Sequence, residues 1–169
     1  MDEVLFQQAG SRCRMWVAPE VKDPVVKHAS NRFKVGYFGA VRLRDGALFV
    51  EATSDSFNAV NCWRFLRRLR GAARRSGRRV VVITDNAAFH HAVMHKAWRA
   101  KHEGNFQLLY LPPYSPDLNP IERVWKLTRR LCTHNVYFAT LDAVRTAIDT
   151  QFARWRRGSL ALRSLCAMN

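Results

Sequence analysis

A run of four β-branched residues, Val80-Val81-Val82-Ile83, stops at Thr84-Asp85-Asn86. With no polar residue among the four, neither side of such a strand suits water, so it belongs inside a sheet with helices on both faces. Sheets of that kind hold their ligands beyond the carboxyl ends of their strands. Asp85 stands at that end.

The flanking segments fill in the architecture. Val4-Leu5-Phe6 reads as the tail of a strand whose first half is missing, with Asp2 and Glu3 at its middle. Residues 7 to 31 are irregular, broken by Gly10, Pro19 and Pro24. Lys34 to Leu43 and Ala47 to Ala52 are rich in β-branched and aromatic residues around an Arg44-Asp45-Gly46 turn, which predicts a hairpin. The spacing of Val60, Trp63 and Leu66, and of Phe65 and Leu69, predicts a helix over 59–73. Further helices are expected over 92–101, 120–131 and 141–155, the last capped by Thr140, and a strand over 106–111 ends at Pro112-Pro113. Hairpin strands come first and strand–helix alternation follows. The expected class is α/β: a mixed sheet, early strands antiparallel and later ones parallel, flanked by helices. The folded domain is placed at 1–157, with 158–169 as a C-terminal tail.

Charge narrows the function. Twenty-eight Lys+Arg against 13 Asp+Glu give a net charge of +15, while 48% hydrophobic residues argue against a disordered chain. A foldable chain this basic most often meets nucleic acid. No apolar run approaches membrane-spanning length, and no membrane partner is expected. Arginines crowd the segment from Arg64 to Arg79. Arg64, Arg67, Arg68 and Arg75 share a polar helix face opposite Trp63 and Leu66, and with Arg74, Arg123 and Lys126 they are candidate phosphate contacts, which position a duplex without reading its sequence. The competing reading is a solvated face, but arginines crowded without acids repel one another unless a polyanion is present. Cys13, Cys62, Cys132 and Cys166 form no close pair and read as reduced thiols of a cytoplasmic chain.

Two acids carry the chemistry. Glu122 opens a helix after the turn Pro112-Pro113-Tyr114-Ser115-Pro116-Asp117-Leu118-Asn119-Pro120-Ile121. A carboxylate at a strand end and another at a helix start can converge, and such oxygen clusters hold hard divalent cations. Next to a polyanion, that combination points to metal-dependent chemistry on nucleic-acid phosphates. Each acid also has a structural role open to it. An Asp after a strand often makes an Asx turn, a job Asn86 could do instead. With Asn119 as N-cap and Pro120 at the first helical position, Glu122 falls where a capping box puts its glutamate. Asp117 is a rival acid in the same turn, and spacing does not separate the two.

The stretches Ile83-Thr84-Asp85-Asn86-Ala87-Ala88-Phe89-His90 and Tyr110 through Trp125 resemble transposases of the mariner superfamily, above all their bacterial insertion-sequence branch. The string from Pro113 to Glu122 is highly specific, and the resemblance runs from Asp2-Glu3 to about Ile148. It implies an RNase H-like fold, here with its first strand truncated, and an acid triad of Asp2, Asp85 and Glu122. Those three would be both catalytic residues and ligands for two Mg²⁺ ions, with Mn²⁺ as substitute. Asn86 and His90 are the matching candidates for active-site support. The implied activity is DNA strand cleavage followed by strand transfer, by a homodimer in a bacterial cytoplasm, associated with the nucleoid. An N-terminal helix-turn-helix module that reads the element ends is expected from a separate or upstream reading frame. The alternative is an inactive, truncated remnant that only binds DNA.

Overall fold

Alternation along the first strand decides which side chains meet. The computed structural model describes residues 1–167 apart from 23, 26, 54, 55, 75 and 76, with the side chains of 73 and 74 also outside it. Strand β1 (Asp2–Gln7) buries Asp2, Val4 and Phe6 on one face. It runs antiparallel to β2 (Lys34–Arg42), with Asp2 opposite Gly39 and Phe6 opposite Val35, and β2 pairs in turn with β3 (Ala47–Thr53). A second sheet holds β4 (Val80–Thr84) and β5 (Phe106–Tyr110) in parallel. The Met1 ammonium donates to the Ile83 carbonyl at 2.6 Å and ties one sheet to the other.

Helices cover both faces because successive strand residues point opposite ways. Tyr37 enters one core and Phe38 the other. On one side α1 (Ala59–Arg74) packs Cys62, Phe65, Leu66 and Leu69 with Phe38, Val82 and Phe106. On the other, α3 (Ile121–Cys132) and α4 (Leu141–Trp155) pack Trp125, Ile148 and Phe152 with Val4, Phe6 and Tyr37. Gly39 makes the second contact possible: a Cβ there would lie 2.2 Å from Cη2 of Trp125. Without it the indole lies against the strand, beside Asp2.

Thr140 caps α4 as its sequence predicts, accepting from the Ala143 N–H at 3.2 Å. Three expectations change. The helix predicted over 92–101 is two 3₁₀ turns, Ala88–His91 and Val93–His95, followed by a short α2 (Lys96–Lys101). His90 and His95 are wholly buried, and their rings bond to groups outside any helical ladder, which holds the chain in separate turns joined by an extended Ala92. Within α1, Val60 is exposed, and Cys62 takes the inward position in its place. The segment read as a tail continues the fold: α5 (Leu160–Leu165) is capped by Ser159 and buries Leu162 in the core beside α3 and α4. Among the described residues no helix is long and apolar enough to cross a membrane.

Candidate active site

The carboxyl end of β4, the start of β1 and the first turn of α3 meet at a cleft of about 390 Å³ lined by Asp85, Asp2 and Glu122. Asn86, Tyr114 and Asn119 complete much of its wall. Three separate elements thus deliver the three acids expected from the sequence. Asp117 is exposed and does not line the cleft, which separates it from Glu122.

Asp2 is buried, and Trp125 donates its indole N–H to Oδ2 at 3.0 Å. Burial, then the charges of Glu3 and Glu122, push its carboxyl up to about 7, against the pull of its bonds to the Glu3 amide and to Trp125. A buried acid with like-charged neighbours keeps its proton near neutrality unless a cation takes the proton's place. The donor set is therefore short of positive charge and made of hard oxygens, the chemistry that fits a divalent ion. The three acids do not crowd together: the His/Cys/Asp/Glu group that closes within 4.8 Å among the described residues is Glu3, Asp85 and His90.

That second group is an ion-pair clamp. His90 is wholly buried, with Nε2 3.0 Å from Glu3 Oε1 and Nδ1 2.9 Å from Asp85 Oδ1. Burial works against a charged ring, but the Cys62 sulfur and the Glu3 carboxylate outweigh it and hold the imidazole pKa up at about 10. A ring protonated on both nitrogens donates twice and has no lone pair left for a metal. With Nδ1 2.9 Å from Asp85 Oδ1, the His90 ring is placed against one oxygen of that carboxylate.

The two structural roles open to the acids resolve differently. Asp85 makes its own Asx turn, Oδ1 accepting from the Ala87 N–H at 3.2 Å, while Asn86 Nδ2 donates to the Leu111 carbonyl at 2.6 Å. Every one of these Asp85 side-chain contacts uses Oδ1 and leaves Oδ2 out. Glu122 forms no capping box. Pro120 is the N-cap and offers no side-chain bond, and Asn119 is buried with Nδ2 donating to the Met1 carbonyl at 3.4 Å. Its amide donates to the Asn119 carbonyl at 3.1 Å, while among the described residues the Glu122 side chain makes no hydrogen bond or ion pair.

The arginines are less free than their crowding implies. Arg64 Nε meets Glu51 Oε1 at 2.6 Å, and Arg68 Nη1 reaches Glu51 Oε2 at 3.5 Å and the Val50 carbonyl at 2.6 Å. Glu51, on the neighbouring strand, supplies the acid that the helix itself lacks. Arg67 is exposed and lies 5.3 Å over the Trp63 ring. Arg75 and the Arg74 side chain lie outside the described residues. Arg123 Nη1 donates to the carbonyls of Leu165 and Ala167, both at 3.1 Å, so this candidate DNA contact holds the C-terminal helix instead. Lys126 is exposed.

Glu3 and Trp125 were not singled out from sequence as site residues. A signal for Glu3 was present, since a charged residue next to buried strand positions needs a buried partner. Trp125 gave none beyond helical spacing.

Residues 1–145 match the family described as DDE superfamily endonuclease. The transposable element Tc1 transposase of Caenorhabditis elegans is 32% identical over 141 residues, covering 77% of this chain and 50% of that protein. The insertion element IS630 39 kDa protein of Shigella sonnei is 33% identical over 70 residues, covering 41% of this chain and 20% of its own length. Among solved structures, the Mos1 transposase paired-end complex with left transposon end superposes with a TM-score of 0.67 at 23% identity, over 98% of this chain and 52% of that one. The Mos1 mariner paired-end complex with Mn gives 0.66 at the same identity, over 98% of this chain and 52% of that one. The chain spans about half the length of the Tc1 protein and of these Mos1 chains. With its fold, the acids that line one cleft and a family match over most of its residues in agreement, the chain belongs to the DDE superfamily endonucleases.

Proposed function

We propose that this chain is a transposase catalytic domain that cleaves DNA strands and transfers them, with Asp2, Asp85 and Glu122 as its metal-holding acids. The observation that carries this reading is the meeting, in one cleft, of three carboxylates from β1, β4 and α3, one of them buried with its pKa pushed up to about 7 by burial and by the charges of Glu3 and Glu122. A pair of Mg²⁺ ions, or Mn²⁺ in their place, would supply charge stabilisation at the phosphate and a more acidic attacking hydroxyl.

The chain's own residues do the rest. Trp125 fixes Asp2, and His90 fixes one oxygen of Asp85. Glu122 sits in the first turn of α3, where the helix dipole favours its anion. A water or 3′-hydroxyl oxygen forms the new bond to phosphorus as the bond to the leaving oxygen breaks, so no protein nucleophile is needed. Arg64, Arg67, Arg68 and Lys126 would meet DNA phosphates. A homodimer, a DNA-reading helix-turn-helix module from another segment and a place at the nucleoid complete the proposal.

Incubation with supercoiled plasmid tests it: nicked or linear product should appear with Mg²⁺ or Mn²⁺ and vanish with chelator, and its absence under both metals removes the enzymatic reading. Stability gives a second handle. The Asp2 pKa of about 7 in the folded chain lies above its ordinary 3.8, so its protonated form contributes stability that is complete below pH 3.8 and is lost as pH rises through about 7. Added Mg²⁺ should therefore raise the melting temperature clearly at pH 8 and hardly at pH 5; an equal rise at both would take Asp2 out of the metal site. Arg67→Ala should weaken binding to all duplexes alike and flatten the salt dependence by about 0.9 log units, if it meets one phosphate. A filter-binding titration from low to moderate salt reads both numbers.

A further inference from the structure

His91 closes the first 3₁₀ turn after Asp85 and folds back over Tyr110, the last residue of β5. The two rings lie 4.1 Å apart and 16° from parallel. Tyr110 pairs with Thr84 across the parallel ladder, so the stack stands beside the strand end that carries Asp85.

Both rings are tied down. The Tyr110 hydroxyl donates to the His90 carbonyl at 2.9 Å and accepts from Arg99 Nη1 at 2.7 Å. His91 Nε2 lies 3.3 Å from Asn86 Oδ1, and an amide oxygen only accepts, so Nε2 carries a proton. Asn86 Nδ2 in turn donates to the Leu111 carbonyl at 2.6 Å. Asn86 and Leu111 both line the cleft, which makes the Asn86 side chain a strut from the cleft wall to the imidazole.

One face of the His91 ring rests on Tyr110, yet the residue is exposed, so the face turned away from Tyr110 is open to water. A flat ring already fixed in place and left uncovered can receive a second flat ring with little further loss of rotamer freedom. Nucleobases are such rings. Each has a π-face, and stacking on an aromatic side chain tolerates all of them. A base inside a duplex is already stacked on its neighbours, whereas an unpaired one can reach the imidazole. Tyr114 is the rival ring on the cleft wall. It is fully exposed, and among the described residues its ring has no hydrogen bond or ring contact, so a base there would have to order the side chain as well.

We propose that His91, backed by Tyr110 and held by Asn86, is a stacking platform for an unpaired nucleobase next to the phosphate in the cleft. This rests on the transposase reading, and it gives Asn86 a defined supporting role: it steadies the platform.

A short duplex with a single-stranded tail and the same duplex with blunt ends test this against the parent chain, His91→Ala and His91→Phe. The assays contain Ca²⁺, which takes carboxylate oxygens without the strict octahedral geometry of Mg²⁺. Fluorescence anisotropy reads affinity. A 5-iodouracil in the tail, excited by light, cross-links to the ring stacked on it, and mass spectrometry locates the adduct. The parent should bind the tailed duplex about tenfold more tightly than the blunt one. His91→Ala should lose that preference, and His91→Phe, which keeps a ring but not the bond to Asn86, should retain most of it. The parent's adduct should lie on His91. A tail preference untouched by His91→Ala, or an adduct on Tyr114, would overturn the platform. Equal binding of both duplexes by the parent would overturn it too while leaving the DNA reading in place, whereas failure to bind either duplex removes that reading and the platform together.

Discussion

Asp85→Ala and Glu122→Gln are each expected to lower metal-dependent plasmid cleavage by about a hundredfold to a thousandfold, the loss typical when a preorganised electrostatic element is removed from an active site. Glu122→Gln should not cost fold, whereas Asp85→Ala removes the Asx-turn acceptor and one partner of the buried His90, so its cleavage is compared at a temperature where circular dichroism shows it folded. The Glu122 side chain makes no hydrogen bond or ion pair among the described residues, and its charge pushes the Asp2 pKa upward. The metal-free Glu122→Gln chain should therefore melt no lower than the parent at pH 8, and slightly higher if relief of Asp2 dominates. Asp117→Ala is the control, because Asp117 shares the turn but lies outside the cleft. Cleavage that survives in both acid variants, or that disappears with Asp117→Ala, would mean that the assigned site is wrong.

His90→Ala is expected to be the most destabilising single change at the site, by about 3 kcal/mol at neutral pH, since it strips a buried carboxylate of its partner. The loss should depend on pH in a set direction. The folded His90 pKa of about 10 lies above its ordinary 6.5, so the contribution is complete below pH 6.5 and is lost as pH rises through about 10. Urea unfolding of parent and variant between pH 6 and 10.5 should show the two curves converging toward the alkaline end. A gap that widens there would mean a neutral ring. Glu3→Gln should reproduce much of the effect, because it removes the carboxylate at 3.0 Å from Nε2.

Local pattern carried most of the architecture. Hairpin strands, the β4 run and the Thr140 cap could be read directly, because each rests on residues close together in sequence. Asp85 and Glu122 could be read as candidates for the same reason, each at the end of a regular element. The histidine segment could not. Its 3₁₀ turns follow from bonds that His90 makes to Glu3, 87 positions away, and no periodicity records such a partner. Arg64 and Arg68 repeat the lesson, since the acid that answers them stands on β3. Arg123 shows it a third time, its guanidinium held by carbonyls at the far end of the chain.

That last attachment has a practical side. The Cys166 thiol also reaches the Pro120 carbonyl at 3.5 Å, so residues on either side of Glu122 grip the closing helix. Whatever is fused behind residue 169 pulls on a lever whose short arm ends beside Glu122. A purification tag or reporter placed there is not a neutral handle, and assays of this chain are better run with the carboxyl terminus bare.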